Sequence, residues 1–160
     1  MRVVGVDPGV AITGYGIIDF EGRNYKAVEY NYIRTESNRP LAERLQIIYQ
    51  NLMAVFQQFK PGQLAIEELF FNKNVRTVMA VSQARGVVFL AAANANLTVY
   101  EYTPLQVKQT LTGHGRAEKK QIEYMVKVLL KLPEARWPDD VTDALAVAIC
   151  HVNHISTPHS

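Results

Sequence analysis

Apolar residues come in short strand-like runs near the N-terminus and at helical spacing further along, and this switch of period predicts the order of elements. Residues 2–7, RVVGVD, read as a buried strand: β-branched, apolar and short. A second strand is expected near 12–20 and a third near 25–34, where Val28, Tyr30 and Tyr32 roughly alternate with polar neighbours. Glu21-Gly22-Arg23-Asn24 is a hairpin turn signal, so the three strands form an antiparallel meander. Pro40 suits a helix start. Leu41, Leu45, Ile48, Leu52, Val55 and Phe59 then recur at helical spacing, with glutamines on the polar side, until Pro61-Gly62 stops the helix.

QLAIE, residues 63–67, is a short strand. From Val75 to about Asn96 small and apolar residues lie almost all round a helix, which predicts burial in the core or against a second subunit. A strand over 97–102, a short helix over 104–111 and a flexible Gly113-His114-Gly115 loop follow. A helix over 117–132 ends at Pro133, and a last helix runs from Pro138-Asp139-Asp140 to about Asn153, before a disordered tail at 156–160. The order predicts an α/β fold, a single domain over 1–155 with a mixed five-stranded sheet flanked by helices. Helix crossovers would make the first, fourth and fifth strands parallel. The first and fourth can then lie side by side, with their carboxyl ends on one crevice.

Composition changes this picture little. Apolar residues make up 48% of the chain and charged residues 20%, ordinary for a globular protein. A formal charge of +2 permits a nucleic-acid partner without demanding one. Cys150 is the only cysteine, which excludes an intrachain disulfide and a cysteine zinc cluster; it reads as a small core hydrophobe. No apolar run reads as long enough to span a membrane and no signal peptide is evident, so a cytoplasmic protein with no membrane partner is expected.

The acids change it more. The first strand ends on Asp7 and the fourth on Glu67-Glu68, although carboxylates avoid buried strands. By its position after Leu64-Ala65-Ile66, Glu67 is expected to face the crevice and Glu68 the opposite side. In the last helix Asp140 and Asp143 are three apart and share a face, ahead of a wholly apolar stretch, 144–150. Asp139 is better explained as a helix-start residue that suits the dipole. Asp7, Glu67, Asp140 and Asp143 thus come from three elements that can meet at one sheet edge. Four carboxylates together repel and would take up protons unless a divalent cation relieves them. Mg²⁺ prefers such oxygen ligands, and two ions about 4 Å apart can serve phosphodiester cleavage.

The blocks VVGVDPGVAITGYGII, LAIEELFFNKN, SQARGVV, YTPLQVKQTLTGHGRAEKKQI and DDVTDALAVAIC occur in that order from Val3 to about His151. In them the chain resembles the RuvC-type Holliday junction resolvases, which have a ribonuclease H-like fold. The resemblance implies a homodimeric endodeoxyribonuclease that cuts two opposed strands of a four-way DNA junction symmetrically. It implies Mg²⁺ or Mn²⁺ as cofactor, 5′-phosphate and 3′-hydroxyl ends, and a branch-migration motor as partner. The family's catalytic and metal-holding acids carry over onto Asp7, Glu67, Asp140 and Asp143. Some relatives have histidine at the third place, where this chain has Asp140.

A DNA face is expected around these acids. Phe70 and Phe71 cannot both face one core; one of them is expected to act as a wedge that stacks on opened bases, and Phe70 matches the family's phenylalanine best. Lys73 and Arg76 flank the pair and could hold phosphates. Lys108, His114, Arg116 and Lys119, with Lys120, surround the glycine-rich loop, although such a basic run is by default a solvated face. In the family, lysines matching Lys108 and Lys119 contact DNA near the cut and support catalysis. Gly14 either admits a phosphate or metal to the backbone or is a simple hairpin glycine. His151, His154 and His159 are given no chemistry. Three other readings compete. The first is an actin-like sugar kinase or chaperone phosphate loop, for which the chain lacks a second glycine-rich loop and a second half. The others are a non-catalytic junction binder and a nuclease acting on RNA or linear duplex.

Overall fold

The computed structural model describes residues 1–69 and 74–157, so the expectations for Phe70, Phe71 and Lys73, for His159 and for most of the tail lie outside the described residues. Five strands, β1 (Arg2–Asp7), β2 (Ile12–Glu21), β3 (Asn24–Arg34), β4 (Gln63–Glu67) and β5 (Thr98–Tyr102), form one sheet in the order β3-β2-β1-β4-β5. β1, β2 and β3 are the antiparallel meander; β1, β4 and β5 run parallel. Gly22, at φ +64°, makes the hairpin turn. The helices are α1 (Leu41–Phe59), α2 (Val75–Asn94), α3 (Pro104–Thr112), α4 (Lys119–Leu130) and α5 (Asp139–Ser156).

The two-residue period of the strands sorts their side chains into two cores. Val4, Val6, Leu64 and Ile66 face α1 and α2. Val3 and Ala65 face α3, α4 and α5. The same alternation turns Asp7, two residues after Gly5, and Glu67, two after Ala65, toward α5. α5 lies across this face with Val141, Thr142 and every residue from Ala144 to Val152 buried.

Two glycines set how closely it lies. A Cβ at Gly5 would overlap the backbone carbonyl of Ala144, and one at Gly14 the carbonyl of Asp140. Gly14 stands opposite Asp7 in the β1–β2 register, so the bare backbone there lets the first turn of α5 settle beside Asp7. Its neighbour is therefore a helix of the same chain, a third role beside the two expected from sequence. Gly14→Ala is expected to force α5 outward and cost about 1–3 kcal/mol, as other overpacked sites do. That corresponds to a melting temperature lower by roughly 3–10 °C, readable by thermal unfolding.

Several element ends differ from expectation. α4 begins at Lys119, not Ala117, because Glu118 caps it: its backbone N–H donates to Gln121 Oε1 at 2.9 Å. It ends at Leu130 because Lys131 turns left-handed, and α2 ends at Asn94, two residues before the left-handed Asn96. α5 continues to Ser156, beyond its expected end near Asn153 and into the first residue of the expected tail.

Within this chain α2 is covered on one side only: Ala84, Val88, Ala91 and Ala92 are buried in the core, while Val75, Met79 and Leu90 are more than half exposed, the side left to the second-subunit alternative. By length and composition it also reaches the threshold of a membrane span, at a mean hydropathy of 1.2, contrary to the sequence reading. Small residues such as alanine raise that average without needing burial. In the fold α2 lies between the adjacent parallel strands β4 and β5 in the chain, and its inner side joins the core of the α1 face.

Candidate active site

Asp7 ends β1, Glu67 ends the adjacent parallel strand β4, and Asp140 and Asp143 stand in the first two turns of α5. All four stand at the carboxyl edge of the sheet, Asp7 within electrostatic reach of the other three, with Glu67 and Asp143 lining one hollow and Asp7 and Asp140 the next. Asp7 is the hub. Its carboxyl is pushed up to about 9, chiefly by burial, then by the neighbouring carboxyl groups of Asp143, Asp140 and Glu67. Burial lifts Asp143 to about 6; Lys119 opposes the rise while Asp139 and Asp140 add to it. Glu67 also rises to about 6, by burial and by Asp143, with Lys108 pulling the other way. Glu67 is exposed as a whole residue whereas Asp7 is half-buried, so water softens the effect more at Glu67.

Among the described residues, no three acidic, histidine or cysteine side chains close tightly enough around one point to enclose an ion. The acids instead stand within electrostatic reach of one another, Asp7 feeling the charges of the other three. The donor set is nevertheless that of a hard cation: carboxylate oxygens, crowded and partly dehydrated.

Basic residues stand on both sides. Lys108 and Lys119 line a cavity of about 230 Å³ together with Glu67 and Asp143, floored by Val107, Ile122 and Val147. α3 places Lys108 there because it starts directly after β5, capped by Thr103, whose side chain accepts from Gln106 N at 3.1 Å. Lys119, the first residue of α4, donates to Asp139 at 2.9 Å. That pair lowers Asp139 and raises Lys119, so Asp139 holds a lysine as well as opening the helix. On the other side a cleft of about 700 Å³ runs from Asp7 and Asp140 to Arg44 and Arg76.

The sequence profile of the crossover junction endodeoxyribonuclease RuvC family matches residues 3–151. A crossover junction endodeoxyribonuclease RuvC from Desulforamulus reducens is 57% identical over 98% of this chain and 96% of its own. The chain belongs to the RuvC family. The structure of Thermus thermophilus RuvC in complex with Holliday junction substrate superposes with a TM-score of 0.92 at 36% identity, over 97% of this chain and 94% of that one. The yeast mitochondrial Holliday junction resolvase shares the fold alone, with a TM-score of 0.67 at 12% identity over 92% of this chain and 76% of that one.

RuvC-family nucleases are metal-dependent in general, in keeping with the acidic crevice. The expected DNA face is less unified than the acids. Arg76 lines the cleft beside Asp7, and Lys108 and Lys119 line the cavity beside Glu67 and Asp143. His114 and Lys120 instead line a separate hollow with Tyr124, and Arg116 is exposed in the loop before α4. Glu68, exposed, donates its backbone N–H to Tyr102 O at 2.7 Å and takes no part in the acid cluster.

Two arginines were missed by sequence reasoning. Arg44 Nε donates to Thr35 Oγ1 at 2.8 Å, and that hydroxyl donates to Val10 O at 2.5 Å, which ties the arginine to the loop after Asp7. Its one available signal was a cation on the apolar side of α1, next to Leu45 and one turn before Ile48. The other, Arg85, sits inside an otherwise apolar stretch of α2. Among the described residues the histidines stay clear of the acids. His151 is fully buried, with Nδ1 at 2.5 Å from Tyr102 Oη and Nε2 at 2.7 Å from Gln63 Oε1. His154 packs against Cys150.

Proposed function

We propose that this chain resolves four-way DNA junctions by paired, symmetric, metal-assisted hydrolysis, leaving 5′-phosphate and 3′-hydroxyl ends. The observation that carries this reading is the electrostatic closeness of Asp7, Glu67, Asp140 and Asp143 across two neighbouring hollows with cationic walls. Asp7, Glu67, Asp140 and Asp143 hold Mg²⁺, with Mn²⁺ able to replace it, and two ions per site suit four carboxylates. When bound, the metal supplies activation of the attacking water and charge at the leaving oxygen. The chain's own groups do the rest. Lys108 and Lys119 offset phosphate charge from one side, Arg76 and Arg44 from the other, and the apolar floor of Val107, Ile122 and Val147 keeps bulk water from the scissile position. His114, Arg116 and Lys120 bind the junction arms further out; Lys73 is also proposed to hold phosphate and Phe70 or Phe71 to open the bases, on the family resemblance alone.

Paired cuts need two sites related by a two-fold axis. Val75, Met79, Gly86 and Leu90 lie on the exposed side of α2, and a Cβ at Gly86 would meet nothing, so two helices can approach closely there. This stripe is the proposed homodimer face. A branch-migration motor as partner rests on the family resemblance alone.

The test is a mobile four-way junction offered beside duplex and single-stranded DNA, with and without Mg²⁺. Paired nicks in the junction alone, and only with metal, are expected. Binding should fall steeply with salt, log K dropping by about 0.9 per decade of salt for each phosphate neutralised. Equal cutting of plain duplex, or a flat salt profile, would overturn the reading.

A further inference from the structure

Glu67 lies one residue past the point where the β1–β4 ladder stops, at Val6 and Ile66, and is paired along β5 only. A carboxylate at a loosely held strand end is poorly placed to keep one geometry. The structure supplies a second hold. Arg85, from the middle of α2, donates Nη1 to the backbone carbonyl of Glu67 at 2.5 Å and Nη2 to the carboxylate of Glu101 on β5. Its side chain is only 13% exposed, and its guanidinium lies 5.1 Å from the ring centre of Phe89. Glu101 points to the α2 face because it alternates with Tyr100 and Tyr102, which face α5. One planar fork thus spans the ends of β4 and β5 from the side opposite the acids.

From this we propose that Arg85 is a positioning residue for Glu67. By gripping the Glu67 carbonyl it fixes the peptide plane at residue 67, and so the direction in which that side chain enters the crevice. The proposal rests on Glu67 being one of the metal-holding acids. Arg85 touches neither substrate nor metal; it acts through the backbone of its neighbour. The fork geometry matters, because a guanidinium holds its donors in fixed, separated directions in one plane, whereas the three donors of an ammonium radiate from a single atom and rotate. Partners that orient a ligand from behind typically change metal affinity by about 10–100-fold when removed. A clamp serving stability alone would leave metal affinity where it was.

The experiment compares Arg85→Met, which keeps the unbranched stem over Phe89, with Arg85→Lys and Glu67→Gln. Two readouts are taken: binding of Mn²⁺ to the DNA-free protein, followed by electron paramagnetic resonance of the free ion, and the Mn²⁺ concentration giving half-maximal junction cutting. Arg85→Met is expected to raise both by roughly ten-fold or more. Cutting at saturating Mn²⁺ and junction binding without metal should stay near those of the unaltered protein. Arg85→Lys should fall between the two. Unchanged Mn²⁺ binding in Arg85→Met would overturn the proposal; if that variant does not fold, unchanged binding in Arg85→Lys would do so. Glu67→Gln separates the two levels. If it binds Mn²⁺ and cuts as the unaltered protein does, the reading of Glu67 itself fails. If it loses both while Arg85→Met changes neither, only the role of Arg85 falls.

Discussion

Asp7→Asn is expected to abolish junction cutting, by at least about 10³-fold or roughly 4 kcal/mol of barrier, while raising the melting temperature of the metal-free protein. Both effects have one cause. Asp7 is half-buried among three other carboxylates and is held near 9, against an ordinary 3.8. A carboxyl raised in the folded state adds stability below its unfolded value and loses it as pH rises toward the folded value. Metal-free protein therefore carries a penalty at Asp7 that grows from about pH 4 to pH 9. Asparagine keeps the shape and removes the charge. The gain at pH 8 should be about 1–3 kcal/mol, or ~3–8 °C, and a gel-shift assay should show junction binding retained. His151, lowered to about 4 from 6.5 by burial and then by His154, disfavours folding only as pH drops below 6.5, so the comparison belongs between pH 7 and 9. Cutting at the unaltered rate, or a lowered melting temperature, would contradict the role given to Asp7.

The second large effect is on the metal requirement. Bound metal must displace the protons that the acids hold. Between about pH 6 and 9 that is the proton centred on Asp7; below about 6 those of Glu67 and Asp143 are added. These protons belong to the cluster as a whole, so the steps overlap. The concentration of Mg²⁺ for half-maximal cutting should fall by about ten-fold per pH unit from 6 to 9, and should climb by up to about a thousand-fold per unit as pH drops below 6. Saturating Mg²⁺ should flatten the profile. Single-turnover cutting across a grid of pH and Mg²⁺ measures this, and a metal requirement independent of pH would exclude a proton-sharing cluster as the binding site.

Much of this was legible in the chain because it follows from periods. The alternation of β1 and β4 decides that Glu67 and not Glu68 joins Asp7 on the α5 face, and three-residue spacing puts Asp140 and Asp143 together. Family blocks from Val3 onward pointed to the fold and family. What escaped was set by contacts between distant segments. Gly14 reads as a turn glycine until α5 is seen resting on it. Arg85 reads as one cation in an apolar helix until its fork reaches β4 and β5. α2 reads as enclosed because composition counts small residues as apolar, whereas only packing tells which side of a helix is covered.

α5 carries two of the four acids and is also the most thoroughly enclosed helix in the molecule. The segment that must be in place for chemistry is thus the one the fold cannot do without. A change that shifts Asp140 or Asp143 by displacing α5 therefore also draws on the stability of the whole fold, and the two losses are expected together.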